Sequence, residues 1–140
     1  MKSAGEYAAS LLIRRRYTKS ELIRKMKEKR YASEEIDAVV AYLSENGSLD
    51  DADYARRYVH DAMCLKGYGK LRVRRTLAEK GVCSEAIEAA LFQCPQDEKE
   101  SILAYLQRHK DLNRDQAIRR LLGRGFQYYD IEEVWDSLYG

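Results

Sequence analysis

Apolar residues recur along this chain with two nested periods. The short period is helical: Tyr7, Ala8, Leu11 and Leu12 fall on one face between Glu6 and Arg16, the spacing of an amphipathic helix. The long period repeats a whole pattern. Shifting Tyr17–Leu43 by 51 positions, and again by 95, superimposes five apolar columns without a gap. They are Leu22/Val73/Ala117, Met26/Leu77/Leu121, Tyr31/Val82/Phe126, Ile36/Ile87/Ile131 and Val40/Leu91/Trp135. A period of roughly 45–50 residues with internal turns indicates a helical repeat.

Punctuation recurs with the columns. Thr18-x-x-Glu21 reads as a capping box stapled from Tyr17 to Leu22, and Asn113-x-x-Gln116 follows Leu112 at the equivalent place. Tyr31 to Ile36 repeats the staple spacing and starts a third helix. Asn46-Gly47 is a left-handed stop for it. Each unit therefore predicts three helices, nine in all with no sheet. We expect an all-α chain of three tandem three-helix, helix-turn-helix-like repeats at residues 1–47, 48–94 and 95–140. Units this small bury little core alone, so neighbours should pack into an elongated, curved rod. Most of the 11 tyrosines coincide with apolar positions, which makes them core or staple residues.

Composition sharpens this in a few respects. Eight glycines and one proline in 140 residues favour helix throughout. No apolar run is long enough to cross a bilayer, and the N-terminus lacks a secretory h-region. Three cysteines, Cys64, Cys83 and Cys94, without CxxC spacing read as reduced thiols of a cytoplasmic protein. His60 and Cys64 stand at i, i+4 with no further ligand nearby, so no metal and no cofactor are expected.

Net charge is only +2, but its distribution is uneven. Arg14–Arg30 carries nine basic and two acidic residues, whereas 31–63 carries two and eight. Residues 64–80 carry six basic and one acidic, and 102–124 six and two. The last 16 residues hold four acids and no base. The basic part is the first turn and second helix of each unit; the acidic part is the third helix, plus the first helix of unit two.

Three columns are basic in every unit: Arg15/Lys66/Lys110, Arg24/Arg75/Arg119 and Lys29/Lys80/Arg124. The first and third lie near helix C-termini, where the macrodipole already favours a cation. The middle column is mid-helix, where it does not, and Lys25, Arg72, Arg74 and Arg120 extend it. An ordinary solvated face mixes signs at i, i+4; these faces mostly do not. Repetition would turn them into one stripe suited to a periodic polyanion or a periodic protein filament.

Catalysis has no footing. His60 and His109 lie in different units, and Gly67-Tyr68-Gly69-Lys70 lacks the length and preceding strand of a phosphate loop. We expect no catalytic residues. Three readings remain: a regulator of a protein filament, a DNA-binding repeat protein, or a plain scaffold. Sequence-specific reading by the last helix of each unit is disfavoured, because Glu34, Glu35 and Asp37, or Asp130, Glu132, Glu133 and Asp136, would face phosphates. Backbone contact through the second helices stays open.

The stretch Ser48–Val82 is the most distinctive. Asp50 is a helix N-cap, with Leu49 and Tyr54 stapled across it. The helix carries Tyr54, Tyr58, Val59 and Ala62, and a basic helix from Lys70 to Lys80 stops at Gly81. The runs LDDADYARRYV and KGYGKLRVRRTLAEKGV closely resemble the regulatory protein RecX family, modulators of the RecA recombinase. The resemblance extends over nearly the whole chain. It implies an all-helical, non-enzymatic, cytoplasmic protein of three three-helix repeats. Such proteins lie in the groove of the RecA filament on single-stranded DNA and inhibit its ATPase, strand exchange and co-protease functions. It leaves room for weak direct DNA contact, and a monomer is expected. Little precedes the first repeat, so an N-terminal extension found in some members has no counterpart here. Asp50 and Asp51 read as determinants joining units one and two, not as ligands.

Overall fold

The computed structural model describes residues 1–140 and contains nine helices and no strand. They are α1 (Ala4–Arg14), α2 (Lys19–Glu28), α3 (Ser33–Glu45), α4 (Asp51–Val59), α5 (Lys70–Glu79), α6 (Ser84–Gln93), α7 (Glu98–Arg108), α8 (Arg114–Gly123) and α9 (Tyr128–Tyr139). One feature was not expected: α4 continues as a π-helix over His60–Leu65. The Lys66 amide donates there to Asp61 O, five residues back, at 3.1 Å.

The caps form where side chains can make them. Thr18 Oγ1 accepts from the Glu21 amide at 3.1 Å, and Glu21 Oε1 accepts in return from the Thr18 amide at 3.0 Å. Asn113 and Gln116 do the same at 2.9 and 3.1 Å. Asp50 Oδ1 accepts from the Asp53 amide at 3.1 Å. Each satisfies an N–H that the helix leaves orphaned.

The second helix of every unit ends alike. The amides of Tyr31, Val82 and Phe126 donate to the carbonyls of Met26, Leu77 and Leu121. The amides of Arg30, Gly81 and Gly125 donate to Lys27, Ala78 and Leu122. These are Schellman stops, and they explain two of the apolar columns as the hydrophobic contact that closes the stop. The residue that reverses the chain sits at φ 86 in Gly81 and 100 in Gly125, but at 67 in Arg30.

Each unit has its own apolar core. Leu22, Met26 and Ile36 centre the first, Val73, Leu77 and Ile87 the second, and Leu121, Phe126 and Ile131 the third. Leu49 is buried in the first core, whereas Tyr54 packs against the second. The expected staple therefore straddles the boundary between units. The rod is not held by one shared core; its joints are made of helix ends.

Both joints follow one plan. The N-terminus of α2 meets the C-terminus of α5. There the Thr18 hydroxyl donates to Lys80 O at 2.6 Å, and the Lys19 amide donates to Asp51 Oδ1 at 3.0 Å. The N-terminus of α5 meets the C-terminus of α8. The Gly69 amide donates to Arg124 O at 2.8 Å and the Leu71 amide to Gly125 O at 3.1 Å. The Lys70 amide donates to Glu98 Oε2 at 3.0 Å. Asp51 and Glu98 are both the first residue of the following unit's first helix. At the second joint orphan amides of α5 donate to carbonyls at the end of α8, at the first the Thr18 hydroxyl donates to the end of α5, and in both the positive end of one helix faces the negative end of the next. The expectation that the acidic turn joins units one and two is met through Asp51.

Glycine makes the approach possible. A Cβ on Gly81 would fall within 3.0 Å of the Ser20 side chain. One on Gly69 would fall within 3.0 Å of Gly125 O and of Phe126 Cδ1. Nothing abuts the end of α2 in the same way, and there the left-handed position carries a full arginine side chain.

Candidate functional site: the line of basic helices

The joints place α8, α5 and α2 end to end in that order. Mid-helix positions of the three occupy the same register in successive segments. Arg24, Arg75 and Arg119 are all exposed. Arg75, Arg119 and Arg120 form no ion pair, and neither do Lys25, Lys66 or Lys110. Arg24 approaches Glu28 at 3.8 Å one turn away on the exposed surface, a pair too wet to hold it against a stronger partner. Lys29 is exposed, its ammonium 5.9 Å from the Tyr7 ring.

Other predicted cations are spent inside the molecule. Arg74 forks onto Glu88, with Nε to Oε2 at 2.7 Å and Nη2 to Oε1 at 3.0 Å. That hydrogen bond holds the Arg74 proton more tightly and the Glu88 carboxyl below its ordinary range. Arg72 stacks 3.9 Å over the Tyr68 ring and donates to Gly123 O at 3.4 Å. Arg15 lies 3.6 Å over Tyr17 and 3.6 Å from Glu21. Lys80 meets the same Glu21 at 3.5 Å. Burial opposes the Lys80 charge, but Glu21 and Tyr54 more than offset it, and its pKa rises. Arg124 donates from Nη2 to Lys66 O at the joint.

The predicted list therefore divides. Arg24, Lys25, Arg75, Arg119, Arg120, Lys66, Lys110 and Lys29 are available to a partner. Arg72, Arg74, Arg15, Lys80 and Arg124 build the scaffold that presents them. Arg108 was missed, because a cation in the last turn of a helix has an ordinary dipole explanation. It stands beside Lys66 and Arg124 at the second joint.

The third helix of the last unit, α9, differs in kind. Glu132 receives Arg114 Nη2 at 2.9 Å and Tyr128 at 3.1 Å, and Glu133 pairs with Lys99. Their carboxylates neutralise the first two helices of their own unit. No group of three or more potential metal ligands gathers anywhere. No helix is long and apolar enough to cross a membrane.

Comparison with known proteins agrees with this architecture. Residues 4–43 match the family model for the first three-helix domain of RecX, and residues 50–91 match that for the second. The regulatory protein RecX of Mannheimia succiniciproducens is 32% identical over 139 residues, covering 93% of this chain and 90% of the relative. That of Pectobacterium atrosepticum is 31% identical over 162 residues and covers 98% of both chains. The crystal structure of RecX from Lactobacillus salivarius superimposes with a TM-score of 0.82 at 19% identity, covering 96% of this chain and 94% of that one. Another crystal structure of a regulatory protein RecX gives a TM-score of 0.79 at 22% identity, covering 95% and 70%.

Proposed function

The chain belongs to the RecX family of regulatory proteins, and from that premise we propose that it binds the RecA filament on single-stranded DNA. It inhibits the filament's ATPase, strand-exchange and co-protease activities there. It acts by occupancy, in the cytoplasm, with no reaction of its own.

The observation that carries this reading is the end-to-end order of α8, α5 and α2. It supports reading the three local faces as one line, with Arg119, Arg75 and Arg24 at equivalent places in the repeat. About eleven residues of helix separate one such arginine from the next, which at 1.5 Å per residue is roughly 17 Å, plus the joint. A regular row of cations on a stiff rod suits a partner that repeats its own acidic or phosphate groups. The guanidinium forks of Arg75 and Arg119, free of carboxylate partners, can grip either.

Bare DNA is the second reading, favoured by the same unpaired cations. The two separate by stoichiometry and salt. A filament regulator lowers recombinase ATPase at protein concentrations well below those that retain free DNA. A DNA binder retains single- and double-stranded DNA with an affinity that falls steeply with salt. Tight DNA retention with no effect on the ATPase would overturn the filament reading.

A further inference from the structure

Each joint forms an open pocket lined by cations, and the two differ in how those cations are partnered. The pocket between units one and two, about 450 Å³, is lined by Arg15, Arg16, Arg57, Tyr58, Asp61 and Lys80 among others, and Arg57 is paired with Asp53 at 2.8 Å. The cavity between units two and three, about 500 Å³, is lined at equivalent positions by Lys66, Tyr105, Arg108 and Arg124. In the first joint Glu21 bridges Arg15 and Lys80, at 3.6 and 3.5 Å. The residue equivalent to Glu21 in the second joint is Arg72, 51 positions on, and, counted from the first residues Asp51 of α4 and Glu98 of α7, the one equivalent to Asp61 is Arg108. Two carboxylates at the neutralised joint are thus two arginines at the other.

The consequence is visible in the contacts. Lys66, Arg108 and Arg124 line one cavity, and none reaches a carboxylate within ion-pair distance, although Glu100 also lines it. Arg124 is fixed by Tyr68 and Tyr105, its guanidinium 5.0 and 5.2 Å from their rings. Its Nε is enclosed and has no hydrogen-bond partner. His109, stacked on Tyr105 with ring centroids 4.2 Å apart, completes the wall. Gathered cations repel one another, and no carboxylate, Glu100 included, lies within ion-pair distance of any of the three.

We propose that the cavity between units two and three is a binding site for a phosphate group, held by Lys66 and Arg108 against the fixed Arg124. Lys66 and Arg108, with Arg124 held in place by its donation to Lys66 O and none of the three paired with a carboxylate, match a tetrahedral oxyanion of more than one charge. Arginine offers paired N–H donors to two of its oxygens, and lysine a compact point charge. The phosphate comes from a nucleic-acid strand or from a free nucleotide; the chemistry of the grip is the same. The site goes beyond the filament reading, and its test contains no recombinase, so one can fail without the other.

The test is a titration of the full chain followed by NMR of the arginine Nε and His109 ring resonances. Pyrophosphate is the first probe. A short oligothymidylate, a nucleoside triphosphate and an oligoglutamate then compete with it. Pyrophosphate should shift the Arg108, Arg124 and His109 signals. Arg108→Glu and Lys66→Glu should each weaken its binding by at least about tenfold, and Arg108→Gln should weaken it less. Arg16→Glu, at the neutralised joint, should leave binding unchanged. Whether oligothymidylate or the triphosphate displaces pyrophosphate at the lower phosphate concentration identifies the source, and either order upholds the site. Shifts confined to other residues, an equal loss in Arg16→Glu, or displacement by oligoglutamate at matched charge would overturn it.

Discussion

Gly69→Ala isolates the joint between α5 and α8 better than any other substitution. Gly69 sits at φ −88, ψ 165, ordinary extended backbone that alanine adopts without strain. On backbone grounds alone the change should stabilise, by about 0.4–1 kcal/mol through the unfolded chain. The folded joint reverses that sign. The new Cβ would lie within 3.0 Å of Gly125 O and C and 2.8 Å from Phe126 Cδ1, and the first two are main-chain atoms that cannot rotate away. Forcing a methyl into such a contact costs about 1–3 kcal/mol. If the joint opens instead, it gives up the bonds from Gly69 to Arg124, Leu71 to Gly125 and Lys70 to Glu98, about 1 kcal/mol each. After the backbone gain is subtracted, crowding predicts a net loss of up to about 2.5 kcal/mol and opening of the joint a net loss of about 2–2.5 kcal/mol. Urea unfolding by circular dichroism reads the loss, and hydrogen exchange at the Leu71 amide reads the opening. Gly47→Ala is the control, since Gly47 has φ 82 but nothing within 4 Å of a Cβ; it should cost about 1 kcal/mol from backbone strain alone. If Gly69→Ala matches or exceeds wild-type stability, the end of α8 does not rest on α5 and the line of basic helices does not exist in solution.

Arg30→Gly should stabilise by up to about 1 kcal/mol, since it removes a left-handed non-glycine residue from an unabutted helix end; a lower urea midpoint would refute that account of the left-handed position that Arg30 shares with Gly81 and Gly125. Asp51→Ala should cost about 1 kcal/mol by removing the acceptor of the Lys19 amide, and the Lys19 amide should exchange faster, an effect absent if Asp51 serves only its own helix. Glu88 titrates below its ordinary value, first through the hydrogen bond from Arg74 and against a smaller desolvation. A depressed carboxylate gives stability that is present above the unfolded pKa and lost as pH falls through the folded one. Arg74→Ala should therefore narrow the gap between stability near neutrality and stability below the ordinary glutamate value of 4.5, and an unchanged acid profile would show that the pair is idle.

Much of this was legible because side chains carry it. Thr18, Asn113 and Asp50 announce their helices with an oxygen at the right offset. The columns Met26/Leu77/Leu121 and Tyr31/Val82/Phe126 announce the closing contact of a recurring helix stop. The exposed arginine column was legible because nothing local favours a cation in mid-helix. What escaped was written in the backbone or across distance. Gly69, Gly81 and Gly125 read as turns, and only the missing Cβ atoms show that the next helix lands on them. The π-helical His60–Leu65 has no local signal in its residues. Arg74 looked free because Glu88 lies on the following helix. The unneutralised joint could have been found by asking where equivalent positions change sign: Glu21 to Arg72 and Asp61 to Arg108.

The central claim is that the row of exposed arginines engages the recombinase filament. Its most direct test is ATP hydrolysis by the RecA partner on single-stranded DNA, titrated with wild type and with the triple variant Arg24→Glu, Arg75→Glu, Arg119→Glu. These positions are exposed, so stability should change by no more than about 0.5 kcal/mol at each, and helicity is checked alongside. Glu34, Glu35 and Asp37 changed to lysine is the control, three reversals placed on the acidic third helix. The account predicts inhibition by wild type and by the control, a partial loss for each single reversal with Arg75→Glu the largest, and none for the folded triple variant. A folded triple variant that inhibits as well as wild type would contradict it.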